Sequence, residues 1–373
     1  MRVGRGDSPL KPTPFYQSGV KVAGYGPAST GDRPLLTIAV PTWNRASLLT
    51  ELLTTLAPQL AGLPTEEVEL LISDNGSTDA TSDVVARFAD QGLRLHHHRH
   101  PVNIGSDANF ISAFKMARGT YLWLFSDDDI IVPGAVDDLL NHLRHTELDL
   151  VYATSYGFRN SWSAERQQDP MDRRFHTITS AAHLTRVVSV MFTFISGIIV
   201  NKARFEDLRR SDPTVEDPSA FLGTNLTQLS WILPLLRHHR RSLVLWQRPV
   251  AGRLDNGGGY PIGDVFGENL SAVTARCLPD RPNLASIIAN FTLRRWFPSQ
   301  VIEIRASANQ KFSLDQAGAA LRHTYGSNPR YWIFTWPVLK LPLPLARVWV
   351  IAGTALSKLI YMFEVPTFWR KQF

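Results

Sequence analysis

Cysteine is almost absent from this sequence: Cys277 is the single one among 373 residues. One thiol excludes an intramolecular disulfide and a cysteine-rich metal site, and it fits a reducing compartment. Residues 1–32 also contain no apolar run long enough for a signal peptide. Both absences predict a protein that is made and kept in the cytoplasm.

Charged residues are scarce as well, at 19%, whereas hydrophobic residues make up 44% of the chain. A chain of this composition can bury a core, so extensive disorder is excluded. The formal net charge of +6 favours anionic partners such as nucleotides or a lipid surface. No nucleic-acid-binding module or concentrated basic stripe is present, and we therefore expect no nucleic-acid partner.

Short apolar runs alternate with amphipathic stretches in the first half of the chain. The pattern predicts strands at 35–40, 68–73, 93–98 and 121–126, and helices at 46–60, 78–89 and from 103 onward. Such alternation predicts an α/β fold with a parallel sheet, and continuously apolar strands predict helices on both of its faces. After residue 150 the pattern weakens, and we expect a strand or buried segment at 192–202 and a helix at 221–236.

Polar side chains follow three of the predicted strands at the point where each strand ends. Thr42 and Asn44 follow the first strand, Asp74 and Asn75 the second, and three consecutive aspartates, 127–129, the fourth. In open α/β sheets the ligand lies outside the carboxyl ends of the strands. The common placement of these residues therefore predicts one shared site.

The aspartates Asp127, Asp128 and Asp129 repel one another unless a cation or hydrogen-bond donors compensate. A divalent ion such as Mg²⁺ binds carboxylate and phosphate oxygens together, and it stabilises negative charge on a leaving diphosphate. The alternative is a solvated acidic turn or a helix N-cap. The two other polar strand ends favour the metal site.

Four segments in this order resemble the successive motifs of family 2 glycosyltransferases. They are VPTWNR at 40–45, SDNGSTDAT at 73–81, NIGSDANF at 103–110 and LFSDDDIIVPGAV at 124–136. The tetrapeptide SDDD, followed by SGIIVNK at 196–202 and later by FLG, is most similar to the abequosyltransferase-like branch, which acts on bacterial surface polysaccharides.

This resemblance implies a GT-A fold: a Rossmann-like, mostly parallel sheet flanked by helices, with a C-terminal helical region. It implies an inverting, hexosyltransferase-like enzyme that uses Mg²⁺ or Mn²⁺ and a nucleotide-diphosphate-sugar donor. The acceptor would be a glycan or a polyprenyl-diphosphate-linked glycan in bacterial surface polysaccharide synthesis. The implied parts are a mobile arm, a nucleotide-sugar-binding domain, an acceptor-binding part of the catalytic domain and a membrane-associating helical region, with bounds 1–32, 33–150, 151–262 and 263–373.

The resemblance also assigns residues to the donor site. Asp74 would bind the base and Asp128 the metal, with Asp127 and Asp129 beside it. The donor-binding residues that it implies are Pro41, Thr42, Asn44, Arg45, Asp74, Asn75, Ser77, Asn103, Gly105 and Asp127. Many relatives have Asp-x-Asp-Asp at the cluster, where Ser126 occupies the first position here. The sequence therefore does not decide which carboxylate binds the ribose and which binds the metal.

Inverting transfer also requires a general base for the acceptor hydroxyl. Relatives usually supply an Asp from a Glu-Asp pair, and Glu216 and Asp217 stand at a suitable place, with Asp217 the favoured base. The alternative is a surface acidic turn before Pro218.

Three other motifs are weaker. The histidines at 96–98 and 100 alternate across a strand and cannot all converge on a metal. LRRW at 293–296 resembles part of a processive-synthase motif, but Thr292 replaces its Gln, and we interpret it as a basic helix face. Arg253, Asp255 and Asn256 form either a mobile lid or a plain surface loop.

The segment 331–363 is rich in aromatic residues and carries Lys340, Arg347 and Lys358, with Arg370 and Lys371 beyond it. Its charges and prolines leave no apolar stretch of the roughly 18 residues that a membrane span needs. Aromatic residues with interleaved cations favour an anionic bilayer interface, and so a peripheral protein on the inner face of the plasma membrane. The alternative is a helical cap packed on the catalytic domain.

Two other functions fit part of the pattern. A sugar nucleotidyltransferase would need a glycine-rich triphosphate loop after the first strand, and PTWNR is a poor match to one. A catalytically inactive sugar-nucleotide-binding protein would keep the fold, but intact aspartates at 74 and 127–129 argue against it.

Overall fold

The computed structural model describes residues 33–64, 67–166, 175–254, 259–306 and 312–364, with side chains in the last range up to residue 357. The predicted arm at 1–32 lies outside these residues, as do Asp255, Asn256, Arg370 and Lys371.

The centre of the described fold is a nine-stranded sheet. Its strands are β1 Leu36–Thr42, β2 Val68–Asp74, β3 His96–Arg99, β4 Tyr121–Leu124, β5 Ile130–Ile131, β6 Leu150–Phe158, β7 Phe175–Ile178, β8 Ile198–Asn201 and β9 Ser242–Arg253. Their order is β3-β2-β1-β4-β8-β6-β9-β5, and β7 also pairs with β9. Strands β5, β7 and β8 run opposite to the other six. A separate parallel pair joins β10 Tyr260–Pro261 to β11 Phe312–Ser313.

Helices flank the sheet and make up most of the chain after β9. They are α1 Ala46–Leu60, α2 Thr81–Asp90, α3 Ser106–Met116, α4 Ala135–His145, α5 Ala181–Val188, α6 Lys202–Ser211, α7 Leu229–Arg237, α8 Leu270–Cys277, α9 Pro282–Phe291, α10 Phe297–Arg305, α11 Ala317–Tyr325, α12 Trp336–Lys340 and α13 Leu343–Glu364. Short 3₁₀ helices span Ser189–Thr193, Ile195–Gly197 and Pro218–Phe221, and π-helical turns span Gly263–Asn269, Thr292–Trp296 and Tyr331–Thr335.

The apolar strands are buried because both faces of the sheet are covered. Successive side chains of a strand point to opposite faces. Ile38 and Val40 of β1 join a core with α1 and α2, whereas Ala39 joins the core on the other face with Phe114 of α3. This explains the continuous hydrophobic runs and confirms the predicted α/β class, the mostly parallel sheet and the C-terminal helical region.

The segment 192–202, predicted as a strand or buried segment, is mostly buried and forms 3₁₀ turns before it becomes a strand at β8. The predicted helix at 221–236 was too long, since the helix begins at α7. Before α7, Asn225 has a φ of +56° and its amide donates to Asp107, 2.9 Å away, so the chain cannot continue as a helix there. The predicted domain boundary at 150 coincides with the start of β6, and one sheet contains strands from both sides of it.

In the part of the chain that the structure describes, no helix combines the length and the apolarity that crossing a bilayer would require.

Gly119, just before β4, is a point where the fold tolerates no side chain. Its amide donates to Thr37 Oγ1 at 2.8 Å, and an added Cβ would lie 2.5 Å from the Thr37 amide nitrogen. We expect Gly119→Ala to lower the free energy of unfolding by roughly 2 kcal/mol or more. Urea denaturation would measure this. Gly318→Ala is the matched control: it lies in α11 with no atom near an added Cβ, and it should be neutral or slightly stabilising.

Candidate active site

Loops from three neighbouring parallel strands meet at one edge of the sheet. Strand β1 pairs in parallel with β2 on one side and with β4 on the other, so their carboxyl ends lie together. Pro41 and Thr42 are the last residues of β1, and Asp74 is the last residue of β2. The structure therefore brings the donor-site candidates of these strands to the same edge as the three aspartates after β4.

The loops after β1 and β2 are tied to each other by side-chain hydrogen bonds. The Asn44 amide donates to Ser77 Oγ at 2.9 Å, and Asn44 Oδ1 accepts from the Thr78 amide at 2.7 Å. Asn44 has a φ of +52°, a left-handed conformation that asparagine tolerates better than most residues. The two loops thus form one unit, in which Asn44 and Ser77 are positioning residues.

Asp74 is fully buried beneath this unit. Its Oδ1 accepts from the Ser77 amide at 2.8 Å, and its Oδ2 accepts from Ser82 Oγ at 3.3 Å. His97 and Arg99 of β3 place ring and guanidinium nitrogens 3.7 and 3.6 Å from the same Oδ2. The carboxylate therefore fixes the turn that follows β2, and its contact with a nucleotide base stays a prediction.

Asn75 and Asn103 organise the loop that leads into α3. Asn75 donates to Asn103 Oδ1 at 2.9 Å and accepts from the Ile104 amide at 2.9 Å. Asn103 Oδ1 also accepts from the Gly105 amide at 2.8 Å, and Gly105 has a φ of +87°. A side chain would be strained at that φ, so glycine is needed at the residue that precedes the helix.

The three aspartates after β4 are buried, and each contacts a different partner. Asp127 Oδ1 lies 2.9 Å from Arg45 Nη1, which is also 4.0 Å from Asp128 Oδ2. Asp128 Oδ1 accepts a hydrogen bond from Ser126 Oγ. Asp129 Oδ1 accepts from the backbone amide of Arg253 in β9 at 2.9 Å. Arg45 therefore balances the first two carboxylates, whereas Asp129 anchors β9 to the cluster.

Burial shifts the titration of Asp127 and of its partner Arg45. It raises the pKa of Asp127 to about 6, with a further contribution from Asp128, against the opposing effects of Arg45 and Thr42. Burial also acts to lower the pKa of Arg45, but the charges of Asp127 and Asp128 outweigh it and leave that pKa raised. Arg45 thus does not fully offset the burial of Asp127, and a cation bound beside this carboxylate would favour its charged form.

Within the described ranges, no three His, Cys, Asp or Glu side chains converge in a group that could hold a metal ion by themselves. Mg²⁺ usually takes one or two carboxylates together with phosphate oxygens of the substrate, so such a group is not required. Asp128, with Asp127 next to it, fits a cation shared with a diphosphate. Asp129 is directed toward β9 instead.

Two residues support the aspartate cluster although the sequence did not predict them as parts of this site. Ser196, fully buried, accepts from the Ser126 amide at 3.0 Å, and its carbonyl accepts from Trp123 Nε1 at 2.8 Å. Arg253 pairs with Glu51, donates to the Asp128 carbonyl at 3.3 Å and stacks on Phe158. The signal for Ser196 was its place two residues before the strand IIVN. Arg253 is held in the site, so the lid interpretation does not apply to it.

Glu216 and Asp217 lie in the segment before α7, and both pair with arginines. Asp217 Oδ2 pairs with Arg209 at 3.0 Å, its Oδ1 accepts from the Ser219 amide at 2.9 Å, and Glu216 pairs with Arg276. Lys115, near the C-terminal end of α3, reaches Ser219 at 3.4 Å. The role of Asp217 as the general base on the acceptor side stays a prediction.

Comparison with known proteins finds similarity to glycosyltransferases. Residues 37–206 match the model of Glycosyl transferase family 2. Abequosyltransferase RfbV of Salmonella typhimurium is 26% identical over 51% of this chain, which spans 58% of that protein's length, little more than half. The uncharacterized glycosyltransferase EpsJ of Bacillus subtilis is 23% identical over 78% of this chain and 87% of its own.

Among solved structures, S. aureus TarS 1–349 in complex with UDP-GlcNAc superposes with a TM-score of 0.57. It is 19% identical and covers 85% of this chain and 88% of its own. This likeness confirms the GT-A fold that the sequence motifs predicted.

The raised pKa of Asp127 generates a prediction about stability. Because this pKa is about 6 in the folded protein and 3.8 in an ordinary carboxyl, the folded state binds the proton more tightly. Its contribution to stability is therefore present at low pH and is lost as the pH rises through this range. In chelator, we expect Asp127→Asn to gain roughly 1 to 3 kcal/mol of unfolding free energy relative to wild type between about pH 4 and pH 7.

Urea denaturation at the two pH values would measure the difference. Asp217→Asn serves as the control of opposite sign. Hydrogen bonds from Ser219 and the charge of Arg209 outweigh burial and lower the pKa of Asp217. That variant should lose stability relative to wild type as the pH rises. A pH-independent difference for Asp127→Asn would contradict the prediction.

Proposed function

Because residues 37–206 match the model of Glycosyl transferase family 2, we propose that the protein is an inverting, hexosyltransferase-like glycosyltransferase that uses a nucleotide-diphosphate-sugar donor. The observation that carries this proposal is Arg45 set against the buried pair Asp127 and Asp128, at the edge where β1, β2 and β4 end. Cation and carboxylates at one sheet edge suit a ligand that contains both a diphosphate and ribose hydroxyls.

The proposed chemistry uses these groups in different ways. As the sugar leaves, negative charge grows on the diphosphate, and Arg45 lies where it can offset that charge. The exposed fraction of the Arg45 side chain is 34%, so it can reach an incoming phosphate while it still pairs with Asp127. Asp128, with Asp127, would hold Mg²⁺ or Mn²⁺, which when bound supplies Lewis-acid stabilisation of the leaving group.

We also propose the acceptor class. The likeness to an abequosyltransferase supports a glycan, or a glycan carried on a polyprenyl diphosphate, in bacterial surface polysaccharide synthesis. Such an acceptor lies at a bilayer surface, and a peripheral position at the inner face of the plasma membrane would place the enzyme beside it. Identification of the donor sugar requires a screen of nucleotide sugars.

Asp128→Asn should abolish transfer and leave the fold intact, because it removes the cation's carboxylate but keeps the side-chain shape. Release of nucleoside diphosphate from a panel of nucleotide sugars with Mn²⁺ would measure activity, and thermal unfolding would check the fold. Asp138→Asn, an exposed aspartate in α4, is the matched control and should keep full turnover. Wild-type turnover by the Asp128 variant, or by wild type in excess chelator, would exclude the metal role. Binding of donor without turnover by wild type would indicate an inactive sugar-nucleotide-binding protein.

We propose Asp217 as the general base on the acceptor side. Asp217→Asn should then lower turnover by about two orders of magnitude with little change in donor affinity, because a general base acts in the transition state. The assay is nucleoside diphosphate release in the presence of acceptor, and Glu216→Gln, which removes a charge paired with Arg276, is the matched control. Loss of turnover in the Glu216 variant instead would identify that residue as the base, and unchanged turnover in both variants would exclude this acceptor-side assignment.

A further inference from the structure

Large hydrophobic side chains are concentrated on the surface of the C-terminal region. Among the described side chains, twelve large hydrophobic residues are exposed, and eight of these lie between residues 332 and 356. We call these eight the apolar face: Trp332, Ile333, Trp336, Leu345, Val348, Trp349, Ile351 and Leu356. Contiguous exposed apolar surface of this kind marks a protein or membrane contact.

The same segment is firmly packed on its inner side. Tyr331, Phe334 and Val338 are buried, and Thr335 Oγ1 donates to the Leu293 carbonyl at 2.8 Å. Ala346 of α13 packs with Val338 and Val301 of α10. The helical cap that the sequence predicted as one alternative therefore accounts for the inner side of this segment. The apolar face takes no part in that packing.

Helix α13 has its polarity reversed relative to an ordinary surface helix. Ala346 and Ser357 face inward, whereas Leu345, Val348 and Ile351 are 56%, 63% and 72% exposed. In a soluble protein the outward face of a helix normally carries charged or polar residues. Trp349 Nε1 donates to the Ile333 carbonyl at 2.9 Å, which joins α13 to the π-helical turn in one continuous surface.

The charged residues within this segment of the chain have one sign. No Asp or Glu occurs from residue 316 to residue 363, where the chain carries the cations Arg322, Arg330, Lys340, Arg347 and Lys358. The Arg322 guanidinium lies 5.6 Å from the centre of the Trp332 ring. A second copy of this chain would bring like charges together across a two-fold contact, which disfavours a dimer. An anionic surface complements both the cations and the apolar side chains.

We propose that the apolar face docks on an anionic lipid bilayer, with the indole rings at headgroup depth and the cations against lipid phosphates. Tryptophan is enriched at such interfaces, and cations near the surface add reversible, salt-sensitive attraction. The proposal rests on the proposed function in one respect only: a lipid-linked acceptor would explain why the enzyme contacts a bilayer. Docking itself does not require that the enzyme be active.

The test is co-sedimentation with vesicles made of equal parts phosphatidylglycerol and phosphatidylcholine, compared with phosphatidylcholine alone. Wild type should bind the anionic vesicles, more weakly at high salt and more weakly to neutral vesicles. The triple variant Leu345→Ser, Val348→Ser, Ile351→Ser should lose at least about tenfold in partitioning, because it removes the most exposed apolar side chains. The matched control Val102→Ser, Phe175→Ser removes exposed apolar residues elsewhere and should bind like wild type.

Several outcomes would overturn the proposal: no sedimentation of wild type, equal binding by the triple variant, or equal loss in the control. Sedimentation velocity can give a further contradicting outcome. If wild type self-associates and the triple variant does not, the apolar face is a dimer interface. Thermal unfolding checks that the variants are folded, and Val348→Ser alone replaces the triple variant if that fails to fold. Donor hydrolysis in solution tests the proposed function separately, so either idea can fail without the other.

Discussion

The arrangement of the site depends on one electrostatic constraint: two buried carboxylates, Asp127 and Asp128, share one arginine. Arg45 Nη1 lies 2.9 Å from the first and 4.0 Å from the second, so a single positive charge faces two acids in a region of low dielectric. Burying such charges is unfavourable unless they are paired and hydrogen-bonded. The surrounding structure supplies further compensation through Ser126, Ser196 and the backbone of β9, and a substrate-bound cation would add to it.

The rest of the edge is held rigid by hydrogen bonds between side chains and backbone amides. Asp74, Asn75 and Asn103 use their polar atoms to fix neighbouring loops and do not point them into open solvent. The backbone of these loops is therefore fixed by the same residues that the sequence motifs predicted as donor contacts. Loops fixed in this way would lower the entropy cost of binding a donor at this edge, because little would remain to be ordered.

Local patterns were sufficient for the elements whose burial is regular. Strands β1, β2 and β4 and helix α1 lie where the apolar runs and the helical periodicity predicted them, because the strands are buried on both faces of the sheet and the helix on one of its faces. The predicted helix at 221–236 was too long for a different reason. The bond from Asn225 to Asp107 joins residues 118 apart. A contact so distant in sequence leaves no periodic signal.

The C-terminal region shows how two opposed interpretations of one sequence can each describe part of the structure. A helix that is hydrophobic all round is expected in a protein core or in a membrane. Helix α13 buries one side against α10 and α12 and presents the other to the outside. Packing alone explains the inner residues but gives no reason for Val348 and Ile351 to be hydrophobic, since serine there would cost the cap nothing. A surface that keeps such residues, in a segment that carries cations and no Asp or Glu from 316 to 363, is better explained by what it contacts outside the fold than by the fold itself.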